Sequence, residues 1–140
     1  MNKKLLIVDD DKLLCDSFAK YLEDTFEVLT TDDVDIAYRI ATQNHIDALL
    51  LDVNLGEQNG IDLCHKLRQN QLTQKLPIMI MTGYGDKNKL ISSYKLGADD
   101  YFAKPIEMEE LSARLLARVK RVEDIGGKMN QLGNLKIYYD

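Results

Sequence analysis

Residues 48–54 read Ala-Leu-Leu-Leu-Asp-Val-Asn, four consecutive apolar side chains that end on an aspartate. A strand with one wet face alternates apolar and polar residues, so an unbroken apolar run marks a strand covered on both faces. The same reading applies to Leu5-Leu6-Ile7-Val8, followed by Asp9 and Asp10, and to Ile78-Met79-Ile80-Met81, followed by Thr82. Strands buried on both faces belong to parallel sheets between two helix layers, joined by right-handed crossovers.

Working outward, strands are predicted at 5–8, 27–30, 48–51, 78–81 and 101–102, and helices at 11–24, 33–43, 60–69, 87–96 and 107–120. The helical segments carry single apolar stripes, Leu14, Phe18 and Leu22 in the first and Leu111, Leu115 and Val119 in the last. The alternation predicts a doubly wound α/β fold: a five-stranded parallel sheet of order 2-1-3-4-5 flanked by five helices. Past Val122 the pattern changes, because Gly126-Gly127 and Gly133-Asn134 bracket polar residues. Residues 122–134 therefore read as a linker, and the last few as an edge strand or the opening of another domain.

At 140 residues, 45% of them hydrophobic, the chain suits one domain with a sizeable core. Asp plus Glu outnumber Lys plus Arg by 23 to 18, a net charge of -5 that offers no general attraction to nucleic acid or an anionic membrane. No apolar run approaches a membrane span, and Met1 to Lys4 leads into the first strand without a signal peptide, so the expected compartment is the cytoplasm. Cys15 and Cys64 stand far apart, without metal-ligand spacing, and are expected to be buried and unreactive.

Ligands of open α/β sheets gather beyond the carboxyl ends of the strands. There the sequence puts Asp9, Asp10, Asp52, Thr82 and Lys104. Taken singly they are ordinary: an aspartate after a strand is usually a turn or cap residue, as Asp11 is expected to be, and Thr82 before Gly83 or Lys104 before Pro105 reads as loop. Their joint arrival at four strand ends outweighs that reading. Three carboxylates in one pocket repel unless a cation joins them, and hard oxygen ligands suit Mg2+. A single lysine neutralises only one of them. Asp52, the lone carboxylate at its strand end, is the candidate nucleophile for a phosphoryl group whose oxygens the cation, Lys104 and Thr82 would hold. A magnesium-dependent phosphotransfer enzyme with an aspartyl nucleophile is the competing reading, but it calls for a second carboxylate two residues on, where this chain has Asn54. His45 and His65 lie away from the strand ends.

Over residues 3–121 the chain resembles the receiver domain of two-component response regulators, through LLIVDDD (5–11), LLLDVNLGEQNGIDL (49–63), MTG (81–83) and GADDYFAKPI (97–106). The resemblance implies a flavodoxin-like fold and a signalling switch that catalyses its own modification by a sensor histidine kinase. It implies that Asp9 and Asp10 bind Mg2+ with Asp52 and the backbone carbonyl of Asn54, and that Asp52 is phosphorylated. By the same resemblance Thr82 and Tyr101 form the switch pair, Lys104 is the ion-pair partner, the Lys104–Pro105 bond is cis, and Asn54 and Tyr84 control the phosphoryl lifetime. Two departures, Gly56 where the family usually has proline and Gly83 where it usually has alanine, add backbone freedom and predict looser loops.

Arg118-Val119-Lys120-Arg121 and GNLKIYYD (133–140) resemble the junction of the OmpR/PhoB subfamily. That implies a receiver at 1–121, then at 122–140 a linker and the start of a winged-helix effector domain absent from the chain, with DNA contacted only through that domain. It also implies a homodimer on phosphorylation, built on the fourth helix, fifth strand and fifth helix through Asp99, Asp100, Glu110, Arg114, Arg118 and Arg121. A stand-alone receiver acting by protein docking is the alternative.

Overall fold

The computed structural model describes residues 3–83 and 97–132, with side chains as far as Lys120. The helix predicted at 87–96, Tyr84, the side chain of Arg121 and the stretch 133–140 lie outside the described residues.

Strands β1 (Lys3–Val8), β2 (Phe26–Thr31), β3 (Ala48–Asp52), β6 (Ile78–Thr82) and β7 (Asp100–Ala103) form one sheet, ordered β2-β1-β3-β6-β7. Every pairing in it is parallel. Apart from a small separate hairpin, β4 (Asn54–Leu55) with β5 (Gln58–Asn59), this is the predicted 2-1-3-4-5 order. Helices α1 (Lys12–Leu22), α2 (Val34–Gln43) and α3 (Gly60–Gln69) follow β1, β2 and the hairpin, and a last helix covers Met108–Leu132.

Side chains on successive strand residues point to opposite faces. Leu6, Val8, Leu49, Leu51, Ile78 and Ile80 pack with Ala37 and Ala41 of α2 and Leu63, Cys64 and Leu67 of α3. Their neighbours Leu5, Ile7, Ala48, Leu50, Met79 and Met81 pack the other way, with Cys15, Phe18 and Leu22 of α1 and Leu111, Leu115 and Val119 of the last helix. Each fully buried Leu or Ile contributes about 1.5–3 kcal/mol relative to exposure, which explains why the sheet takes the most apolar runs of the chain. In α1 the buried stripe runs through Cys15, with Leu14 only partly covered.

Side chains start the helices. Asp11 accepts from the Leu14 N–H at 3.1 Å, Asp33 from Asp35 and Ile36 at 2.8 and 3.0 Å, and Asn59 from Ile61 at 2.9 Å. Each satisfies donors that the first helical turn leaves without a partner. The last helix departs from expectation: it continues as backbone through Gly126-Gly127 to Leu132, where the sequence predicts a linker from residue 122. A helical glycine costs about 1 kcal/mol relative to alanine, which weakens a helix without forbidding it.

The loop after β3 folds into this hairpin. Gly56 sits at φ 63 in the two-residue turn that closes the β4–β5 hairpin. Left-handed backbone at the first central position suits such turns, and glycine reaches it without steric cost. The hairpin is then fastened sideways. Gln58 Oε1 accepts from the Val34 N–H at 2.8 Å, and its Nε2 donates to the Asp32 carbonyl at 3.0 Å.

Candidate active site

Register brings the strand-end residues together. Val8 lies opposite Leu51, Asp52 opposite Met81, and Thr82 opposite Ala103, so Asp9, Asp52, Thr82 and Lys104 share the carboxyl edge of the sheet. Asp9, Asp52 and Thr82 are each only 3% exposed, whereas Asp10 is exposed at the mouth.

Both oxygens of each buried carboxylate are engaged. Asp52 Oδ1 accepts from the Asn54 N–H at 2.8 Å and Oδ2 from Lys104 Nζ at 2.8 Å. Asp9 Oδ1 accepts from the Asp11 N–H at 2.9 Å and Oδ2 from Lys104 Nζ at 3.0 Å. Lys104 is thus shared between two buried acids, not committed to one. Its own backbone is fixed by its N–H donating to the Thr82 carbonyl at 2.8 Å, and the Lys104–Pro105 bond is cis.

The charges are under-compensated. Burial pushes the Asp9 carboxyl above its usual range, the Asp11 N–H and Lys104 draw it back, and the negative charge of Asp52 pushes it up again. Burial would lower the Lys104 ammonium, but its hydrogen bonds to Asp52 and Asp9, and their charges, leave it raised above 10.5 and protonated at neutral pH. One carboxylate oxygen from each of Asp9, Asp10 and Asp52 lies within 4.8 Å of the others, the only such cluster among the described residues. Three carboxylates against one ammonium leave two negative charges, and these hard oxygen donors fit a divalent cation.

Tyr101 is partly buried against the α2–α3 side of the core. Asn54 is partly buried, with its amide nitrogen 3.4 Å from where a Cβ on Gly83 would stand. Cys15 donates to the Asp9 carbonyl at 3.7 Å, and burial pushes its thiol up to about 11. Burial raises Cys64 as well, so neither is a ready thiolate near neutral pH.

Of the charged residues expected on a dimer face, Asp99, Asp100, Glu110, Arg114 and Arg118 are engaged within the chain. Arg114 reaches Asp100 at 3.1 Å, Glu110 at 2.9 Å and the Tyr101 carbonyl at 3.2 Å, with its guanidinium 4.8 Å from the Phe102 ring centre. Asp99 instead accepts from Arg68 at 3.0 Å and from the Ile78 N–H at 2.8 Å, while Arg118 donates to its carbonyl at 2.8 Å. Arg68 also donates to the carbonyls of Gly97 and Leu76, at 2.9 and 2.7 Å. Sequence reasoning missed both Arg68 and Gln58, since neither lies at a strand end. A polar residue just before the Asn59 cap was the only signal for Gln58.

The profile of the response regulator receiver domain matches residues 5–116. The chain is 36% identical over 124 residues to the alkaline phosphatase synthesis transcriptional regulatory protein PhoP of Bacillus subtilis (strain 168), covering 88% of this chain and 51% of that protein. It is 33% identical over 124 residues to the transcriptional regulatory protein SrrA of Staphylococcus aureus (strain NCTC 8325 / PS 47), covering 88% and 50%. The chain therefore spans about half the length of these curated relatives. Among solved structures, a response regulator from Chloroflexus aurantiacus J-10-fl aligns with TM-score 0.74 and 37% identity over 86% of this chain and 99% of that one. The receiver domain of TorR, from the TMAO respiratory system, aligns with TM-score 0.78 and 29% identity over 85% and 98%. Receiver domains catalyse their own phosphorylation and dephosphorylation, an activity consistent with the aspartate cluster. In fold, in strand-end chemistry and in sequence the chain belongs to the response regulator receiver domains, the phosphorylation-dependent relays of two-component signalling.

Proposed function

We propose that Asp52 is the phosphoacceptor and that a sensor histidine kinase supplies the phosphoryl group as a phosphohistidine. The observation that carries this reading is the Lys104 ammonium shared between Asp52 and Asp9, at 2.8 and 3.0 Å, inside a three-carboxylate cluster. An Asp52 oxygen attacks phosphorus, an O–P bond forms as the P–N bond breaks, and the imidazole leaves with the electron pair and takes up a proton. Lys104 transfers a hydrogen bond from the carboxylate to a phosphoryl oxygen, and the Thr82 hydroxyl takes another. Asp9, Asp10, Asp52 and the Asn54 carbonyl would hold Mg2+, which when bound offsets charge on the transferring group. Water later hydrolyses the aspartyl phosphate, with Asn54 and Tyr84 controlling its approach.

The output proposed is a population shift: Thr82 moves toward the phosphoryl group, Tyr101 follows, and the face of β7 and the last helix favours a symmetric dimer. The names of the two transcriptional regulators matched over about half their length support a role in transcription regulation; the finer reading proposed is a cytoplasmic member of the OmpR/PhoB subfamily that contacts DNA through a winged-helix domain. Among the described residues no helix is long and apolar enough to cross a membrane. Intact mass after incubation with acetyl phosphate and Mg2+ tests the assignment of the acceptor. The wild type should gain one phosphoryl group and Asp52→Asn none; equal modification of both would overturn it.

A further inference from the structure

We propose that Gln58 is a positioning residue for the phosphoacceptor, holding the β4–β5 hairpin so that Asn54 orients the Asp52 carboxylate. This rests on the reading of Asp52 as the acceptor. The path can be followed bond by bond. Gln58 grips the connection between β2 and α2 at two points, accepting from Val34 N–H at 2.8 Å and donating to the Asp32 carbonyl at 3.0 Å. It pairs across the hairpin with Leu55, and Asn59 pairs with Asn54. Asn54 in turn donates its N–H to Asp52 Oδ1 at 2.8 Å.

Backbone pairing alone would hold the hairpin poorly. Two residues per strand make too short a ribbon to be stable alone in water. Its far end is anchored by α3, whose Gly60 packs on the Asp52–Val53 backbone and whose cap residue Asn59 pairs with Asn54. Its tip, from Leu55 to Gln58, is held by Leu55, buried in the core that includes Ala37 of α2, and the Gln58 amide supplies the polar tie that fixes its direction relative to the start of α2. The two functions of one amide matter. The Val34 N–H belongs to the first turn of α2 and needs an acceptor, while the Asp32 carbonyl needs a donor, and a primary amide supplies both. A carboxylate would satisfy Val34 and face the Asp32 carbonyl with a lone pair; a thioether of similar length would satisfy neither.

The consequence concerns the acceptor, not only the fold. If the hairpin shifts, the Asn54 N–H leaves its line to Oδ1, the carboxylate is left with Lys104 on Oδ2 as its one fixed point and can turn about its terminal bond, and the Asn54 carbonyl is displaced with the same peptide segment. Misplacement of a reacting group by a fraction of an ångström costs rate more steeply than it costs stability.

The test compares wild type with Gln58→Glu and Gln58→Met. Circular dichroism and urea denaturation report folding, calorimetric titration with Mg2+ alone reports the cation site, and time-resolved intact mass with acetyl phosphate reports transfer. With all three proteins folded, Gln58→Met should bind Mg2+ about threefold more weakly and react about tenfold more slowly, and Gln58→Glu should fall between it and wild type. Variants that lose urea resistance but keep Mg2+ affinity and transfer rate within about twofold of wild type would assign Gln58 a structural role and overturn the proposal. The same holds if they match wild type in every measurement. A wild type that reacts at a residue other than Asp52 would instead overturn the acceptor assignment beneath it.

Discussion

Replacing Gly60 with alanine measures how closely the strand that ends on Asp52 is packed. A Cβ at this position would stand 2.8 Å from the Asp52 carbonyl oxygen, 2.9 Å from Val53 Cα and 3.4 Å from Leu51 Cδ1. The first two are backbone atoms and cannot rotate away, so either the start of α3 or the Asp52–Val53 peptide must move. Overpacking of this kind costs about 1–3 kcal/mol. Against it stands one gain, the lower unfolded-chain entropy of alanine that also underlies its better helix propensity, on the order of 0.5–1 kcal/mol. A net loss of about 1–2 kcal/mol follows, which lowers the melting midpoint of a domain this size by about 3–8 °C. The decisive assay pairs urea unfolding with the rate of modification by acetyl phosphate, because displacement at the Asp52 carbonyl moves the proposed acceptor and should slow transfer about tenfold. A Gly60→Ala protein as stable as wild type and modified at the wild-type rate would refute the claim that α3 braces the strand that ends on Asp52.

Both shifted groups of the cluster lose their stabilising contribution as pH rises. Burial raises the Asp9 carboxyl, so without divalent cations its contribution is fully present below its ordinary value of 3.8 and is lost as pH rises through the raised value. Urea midpoints should therefore fall relative to Asp9→Asn as pH climbs from about 4, with Mg2+ reversing the trend; a relative rise would contradict the assignment. The raised Lys104 stabilises below 10.5 and loses that contribution as pH passes its folded value, so the gap between wild type and Lys104→Met should close only in strong alkali. For assembly, sedimentation should give a monomer without a phosphoryl mimic, since Arg114 already engages Asp100 and Glu110 in its own chain. With the mimic and Mg2+ a dimer should appear that Arg114→Glu abolishes; a monomer in both conditions at high concentration would defeat the dimer proposal.

The sheet was legible because burial on both faces leaves unbroken apolar runs, at Leu5–Val8 and Ala48–Leu51 for example, and the residue after each run has little choice of location. Asp9, Asp52 and Lys104 meet for that reason. The hairpin at Asn54–Asn59 was not legible, because two-residue strands carry no periodicity and Gly56 reads equally well as slack or as a turn. Which cation an acid chooses is likewise a tertiary outcome: nothing near Asp99 in the sequence points to Arg68, thirty-one positions earlier. The continuation to Leu132 escaped because a glycine pair signals a break locally, while the helical backbone there continues across it.

The division of the core by strand parity constrains how this chain can vary. Leu49 and Leu51 serve the α2–α3 side and Ala48 and Leu50 the other, with Asp52 next in the same count. Each strand behaves like a message read in steps of two. Gaining or losing one residue within β3 would exchange the two oily faces and carry the Asp52 carboxylate past the pocket in a single event. Substitutions can accumulate inside the strands, but changes of length are confined to the connections between them.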